Sequence, residues 1–457
     1  MINTKLNFII KYSKSKVLLT LFLSTVSILF SQEKDSNFYL DSNYKFAKIK
    51  FELVNNLIIV PVLVNDTELE FILDSGVATN VIFNLRSTDT LSVAGMRKIA
   101  LRGLGSDGPI EALYSTSNSF RIGTISGENQ EVFIISDRTY DVSSKLGTNV
   151  HGVLGYDFFK NLIVEIDYIK QYLKIYRPDE YPRRRLKRHK TFPLVFFKEK
   201  PYIDGLVKVK NDDLEMPVHL LVDTGGGDNL WVFQDENLEI PEKNFGLIMG
   251  EGLSGTIYGK KARIKGFSLG EYNFKDLNIS FPDQESIGFA KDYKQRNGSI
   301  GGGVLSRFHV VIDYPNEQLF LKKNSNFRKP FTYNLTGMEI VHDGQIVVEQ
   351  VKADFGLYDG GKYSKSSSRT VLSFDDFITY AFKPKYKVYQ VYENSLAYKA
   401  GIRSGDQLVR VNGDDAYEFS LEQLNGIFSK DNHYVKLVMK RSNNHFEVKM
   451  KLTDELK

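Results

Sequence analysis

The chain has 457 residues, too many for one compact core, so two or three domains are expected. The net charge of +4 is small and selects no class of partner. There is no cysteine, which excludes disulfides, thiol catalysis, Cys-ligated zinc and a lipid-modified N-terminal Cys. In chain order, Lys5, Lys11, Lys14 and Lys16 come first, followed by the apolar run VLLTLFLSTVSILF, the small residue Ser31 and a polar stretch. A basic segment, a short apolar run and a small residue form the pattern of a secretory signal over residues 1–31, cleaved near Ser31–Gln32. The other reading is a retained anchor, but the run is shorter than the ~20 residues a spanning helix needs. No second span follows, so the mature chain is expected to be exported, periplasmic or secreted, and to have no stable membrane span.

From Asn37 to about Tyr176, short β-branched runs such as LIIVPVLVN, LEFIL, EVFIIS and LIVEIDY alternate with Gly, Asn, Asp and Ser, the texture of strands and turns. The first such segment is taken as residues 37–178. A charged, Pro-containing stretch over 179–190 reads as a basic, solvated linker rather than a nucleic-acid or lipid site. Strand texture returns over 191–326. Residues 331–457 mix strands with a helix-like segment and include a Gly- and Ser-rich insertion near 352–385, expected to be a mobile loop.

The first two segments repeat each other. FILDSGVATNVIF holds Asp74, and LLVDTGGGDNLWVF holds Asp223, 149 residues on. Gly152, Gly155 and Asp167 recur as Gly298, Gly301 and Asp313 at a constant offset of 146. A Gly-rich hairpin candidate follows each motif, one with Gly103 and Gly105, the other with Gly252 and Gly255. Three features recurring in one order imply two copies of one β lobe.

Asp is poor in a buried strand, so two apolar strands that both end in Asp call for a reason. Two carboxylates brought close together cannot both ionise easily. They share a proton, and such a pair can deprotonate a water and protonate a leaving amine without a metal or other cofactor. Ser75 and Thr224 offer hydroxyls to tie the two loops together. Gly76 and Gly225 permit tight turns and supply amide donors. His151, His309 and His342 show no ligand spacing. Trp231 suits either a substrate pocket or the core.

These residues resemble the aspartic proteases of the pepsin and retropepsin type, over about Asn37 to Lys323. The family's Asp-Thr/Ser-Gly motif matches Asp74-Ser75-Gly76 and Asp223-Thr224-Gly225. Its later apolar-apolar-Gly element matches Val153-Leu154-Gly155 and, less well, Ser299-Ile300-Gly301. The resemblance implies a mainly β, bilobal acid-protease fold with a cleft between the lobes, one catalytic Asp from each lobe, and flap hairpins over the substrate. Val77 and Gly226 depart from the small hydroxyl or alanine usual after the motif glycines, and no flap tyrosine aligns, although Tyr114 and Tyr258 lie near.

The C-terminal segment resembles a bacterial PDZ domain. NSLAYKAGIRSGDQLVRVNGD carries Ser395, Ala397, Gly401, Gly405, Asp406, Asn412 and Gly413 in register. Gly337, Met338 and Ile340 in LTGMEI fit a carboxylate-capturing loop and the strand after it, and LEQLNGIF fits the groove helix. PDZ domains add an extended peptide as a strand. The partners expected are therefore peptide or protein substrates at the cleft and C-terminal peptides at the PDZ groove. The leading expectation is an exported aspartic endopeptidase. The alternative is an inactive protease fold that binds peptides or serves as a scaffold.

Overall fold

The computed structural model describes residues 36–85, 91–93, 95–135, 141–209, 214–353 and 376–457. The expected signal segment lies outside them. The two motif strands, Thr67–Leu73 and Met216–Val222, have the same burial profile: partly exposed at the start and fully buried over the last three residues. Each ends its apolar run just before the motif Asp, so each carboxylate sits where a buried strand gives way to a turn.

Around each motif strand the same arrangement is built. In the first lobe, Gly152–Leu154 pairs parallel with Phe71–Leu73 and antiparallel with the strand Asn80–Ile82. In the second, Gly298–Ile300 pairs parallel with Leu220–Val222 and antiparallel with Leu230–Val232. The first lobe's sheet has nine strands and the second's eight, among the described residues. A six-stranded sheet joins the lobes, with Ile163–Asp167 antiparallel to Phe308–Asp313 at its centre. There Ile163 faces Asp313, Asp167 faces His309, and Glu165 faces Val311. At the offset of 146 found in the sequence, Val311 is the counterpart of Glu165 itself, so a pseudo-twofold axis passes between them. The main core runs continuously through both lobes and this sheet.

The stretch 179–190 is largely exposed, as a solvated linker would be, but it is also structured. Tyr181 is buried, and Arg183–Arg188 forms a 3-10 helix against the joining sheet. Arg183 donates to the fully buried Asp313 at 2.6 Å, and Arg185 meets the buried Glu165 at 3.4 Å. A buried carboxylate needs a partner, and these arginines supply it. Asp313 also accepts from the amide of Asn316, and Asp167 accepts from those of Ile169 and Lys170, so both end their strands in turns.

The C-terminal segment has a core of its own, with Met338, Val388, Leu408, Leu424, Phe428 and Leu437 among its members. Its sheet begins with a long hairpin, Met338–Ala353 against Asp376–Val391. The insertion expected near 352–385 is therefore strand from Asp376 on, because alternating aromatic and β-branched residues extend the ladder; residues 354–375 lie outside the described part. Met338–Ala353 is an edge strand, and the helix Leu421–Phe428, started by a Ser420 capping box, packs its Leu421, Leu424 and Phe428 into the same core. Residues Asn37–Lys457 form a single compact unit. Among the described residues, no helix is long and apolar enough to cross a membrane.

Candidate active site

The two motif loops meet at the lobe junction through four reciprocal hydrogen bonds. The Ser75 amide donates to Thr224 Oγ1 at 3.0 Å, and the Thr224 amide donates to Ser75 Oγ at 3.1 Å. Each hydroxyl in turn donates across the junction, Ser75 to the Val222 carbonyl and Thr224 to the Leu73 carbonyl, both at 2.7 Å. Both side chains are fully buried. This lattice fixes Asp74 and Asp223 next to each other where the two lobes meet.

The motif glycines answer a steric need. A Cβ on Gly225 would overlap the Asp74 carboxylate, and one on Gly76 would press on Leu221 and on both carboxylates. Neither needs a left-handed backbone, so the reason for glycine is the close approach of the opposite carboxylate rather than the tight turn expected from sequence. The Gly76 amide does donate to Asp74 Oδ1 at 2.7 Å. Burial pushes the Asp74 carboxyl above its ordinary range, and the charge of Asp223 pushes it further. Burial also raises Asp223, against the pull of Arg296 and Lys200. The pair is thus built to keep one proton, shared between the two carboxylates.

The tips of the two hairpin candidates interlock. Arg97–Leu101 and Ile110–Ile122 carry Gly103 and Gly105 between them; Asn244–Gly252 and Gly255–Leu269 form the second hairpin. Ser254 donates to the Leu104 carbonyl, Asp107 donates to the Ser254 carbonyl, each at 2.8 Å, and the Gly103 amide donates to Ser254 Oγ at 3.0 Å. Gly105 has φ +127° and a Cβ there would strike the Ser254 backbone, while a Cβ on Gly252 would strike the Leu104 carbonyl. Each tip packs on the opposite lobe: Leu253 against the first lobe's apolar cluster, Leu104 beside Phe233, Ile287 and Ala290 in the second.

Sequence reasoning missed three neighbours of the pair. Tyr314, fully inside the junction, donates to the Ser75 carbonyl at 3.2 Å; the doubled Ile-Asp-Tyr at 166–168 and 312–314 was its only signal. Lys200 and Arg296 act electrostatically on the carboxylates. Trp231 is partly buried and donates to Asp228, itself paired with Lys261 at 3.0 Å. Among the described residues no group of three or more His, Cys, Asp or Glu is placed to hold a metal ion.

At the C-terminal segment, Met338 and Ile340 are buried in its core and Gly337 has φ +69°. The Met338 amide, expected to be free for a carboxylate, donates instead to Thr336 Oγ1 at 3.2 Å. The turn after the first-lobe helix Val142–Leu146 reaches the groove: a Cβ on Gly147 would lie 2.8 Å from Leu421 Cδ1 and 3.3 Å from His342 Nε2.

Comparison with known proteins agrees with this architecture. Residues 60–158 match the family model described as aspartyl protease, and residues 387–441 match that described as PDZ domain. No curated protein matches the sequence. Among solved structures, the chain is similar to the aspartic proteinase from Irpex lacteus, at 12% identity and a TM-score of 0.40, over 62% of this chain and 99% of that one. The mainly β chain thus combines an aspartyl-protease domain with a C-terminal PDZ domain.

Proposed function

We propose that the protein is an exported aspartic endopeptidase, with Asp74 and Asp223 as its catalytic pair. Water held between them gives a proton to the ionised carboxylate as its oxygen attacks the peptide carbonyl, and the protonated carboxyl gives its proton to the carbonyl oxygen. The amine then leaves with a proton from the pair as a hydroxyl of the tetrahedral intermediate returns one to it. The observation that carries this reading is the reciprocal Ser75–Thr224 lattice, which brings one carboxylate from each lobe to a single point. Interlocked flaps supply a cover that excludes water from the cleft. The PDZ domain recruits or presents peptide or protein substrates. The basic and apolar N-terminus supports export, and an intact N-terminus on protein purified from its own cells would overturn the cleaved-signal part of the reading.

The test is digestion of a denatured protein mixture with and without a statine-type inhibitor. Cleavage is expected, and the inhibitor should stop it. Asp74→Asn and Asp223→Asn should each reduce cleavage at least about a thousandfold, since either change removes the shared-proton state. Full activity in Asp223→Asn would overturn the mechanism. Tight inhibitor binding with no cleavage by the unaltered chain would leave a peptide-binding protein instead.

A further inference from the structure

The two lobes are related by the pseudo-twofold axis, so each position flanking one carboxylate has a counterpart flanking the other. Register identifies the counterparts. Ile59 pairs with Ile72 as Tyr202 pairs with Leu221, two residues before each motif Asp, and Leu57 pairs with Val54 as Lys200 pairs with Phe197. The His151 amide donates to the Glu70 carbonyl and the Asn297 amide to the His219 carbonyl; the Phe83 and Phe233 amides donate to the carbonyls of His151 and Asn297. Val150 therefore corresponds to Arg296, Leu57 to Lys200, Ile59 to Tyr202 and Phe83 to Phe233.

The chemistry of the two walls differs. Leu57, Ile59, Phe83 and Val150 are buried together in one apolar cluster. Opposite them stand Lys200, Tyr202, Phe233 and Arg296. Arg296 is 7% exposed and bonds only neutral groups: Nε donates to the Gly298 carbonyl at 3.1 Å, a terminal nitrogen donates to Ser299 Oγ at 2.7 Å, and the guanidinium lies over the Phe233 ring. Lys200, partly exposed, lies 5.6 Å from the Phe289 ring centroid. Neither cation has a carboxylate within ion-pair distance among the described residues, whereas the neighbouring Lys198 reaches Asp292 at 3.9 Å. The proton-sharing pair carries one negative charge, and two cations face it. One positive charge is left over on this wall, in a site where charge is costly unless paired.

We propose that this wall is a subsite for an acidic side chain. The bonds cut then carry an Asp or Glu on the side of the second lobe, held by Lys200 with Arg296 behind it. The inference rests on the cleft being a peptide site, as proposed above.

The test uses the full chain and paired peptides that differ only by Glu or Gln beside the scissile bond, with Phe on its other side. Both kcat/KM and the affinity of the same sequences carrying a non-cleavable hydroxyethylene bond are measured. Glu should exceed Gln by about tenfold in both, the difference between a charge-assisted and a neutral hydrogen bond. In Lys200→Gln the ratio should fall to near one, and in Lys200→Glu it should reverse. Equal affinity for the Glu and Gln analogues, or a ratio unchanged in Lys200→Gln, overturns the subsite. A Glu preference in binding without any cleavage supports the subsite and overturns the peptidase reading alone.

Discussion

Thr224 shows how much the junction asks of one hydroxyl. It accepts the Ser75 amide and donates to the Leu73 carbonyl, and all three residues are buried from solvent. Thr224→Val keeps the shape but leaves both backbone groups unpaired, at a cost on the order of 2–4 kcal/mol. Thr224→Ser should recover most of it, and urea midpoints of the two variants check the contrast. The carboxylates themselves give a pH signature. Burial and mutual repulsion hold Asp74 above its ordinary range, and burial raises Asp223. In the unfolded chain both ionise near about 3.9, so above that pH the folded state holds the extra protons. Stability is then greatest on the acid side and falls as pH rises toward the folded values. Asp74→Asn, which has no charge to bury, should flatten that decline between pH 4 and 7; an equally steep decline would sink the assignment. Val77 and Gly226 add no side-chain donors to the ionised pair, so activity should also peak at less acidic pH than in a stomach-type enzyme. A maximum well below about 3.9 would refute this. The pair was legible in the sequence because the motif occurs twice. Lys200 and Arg296 were not, because a lysine at the start of a strand and an arginine in a loop carry no pattern until the lobes are superimposed by register.

Among the elements, the two Gly-rich hairpins show both what sequence conveys and where it stops. Their glycines mark tight turns, and the spacing after each motif places them; what the spacing does not convey is that the tips bond to each other. That depends on side-by-side approach across 151 residues, from Gly103 to Ser254. Gly252→Ala puts a methyl against the Leu104 carbonyl, and overpacking of this kind typically costs about 1–3 kcal/mol. The tips should separate. Hydrogen exchange at the Ser254 and Asp107 amides is expected to speed up about tenfold or more, and protection equal to that of the unaltered chain would count against the interlock. The 3-10 helix of 183–188 escaped sequence reading for a similar reason. Its arginines look like a solvated run, and only the fold shows the buried Glu165 and Asp313 that they neutralise. The hairpin of 338–353 and 376–391 was obscured by the Gly- and Ser-rich stretch between its strands.

At the scale of the whole molecule, the PDZ domain is tied to the second hairpin and to the first lobe. The Tyr392 hydroxyl accepts the Ile248 amide of the second flap at 3.1 Å and also contacts Glu339 on the PDZ edge strand. Lys145, two residues before Gly147, is ion-paired with Glu251 near the second hairpin's tip and lies 4.5 Å from the Tyr389 ring centroid of the PDZ sheet. Cavities of about 520 and 710 Å³ lie where PDZ residues meet the flaps, the larger including Leu335 and Gly337 in its lining. Gly147 stands between Leu421 of the groove helix and His342 of the edge strand. An extended peptide adding to that strand must displace this turn, and the turn is held in part by the Lys145–Glu251 pair. Glu251→Gln weakens that hold. The pair is partly buried, so its loss should favour displacement by roughly 0.5–1 kcal/mol, a two- to fivefold gain in affinity for peptides with free apolar C-termini. Amidated versions of the same peptides should bind both proteins weakly, since the captured carboxylate is gone. Calorimetry on the full chain decides: equal affinity of the unaltered protein and Glu251→Gln for the free-carboxylate peptide would mean that the first lobe does not compete for the groove.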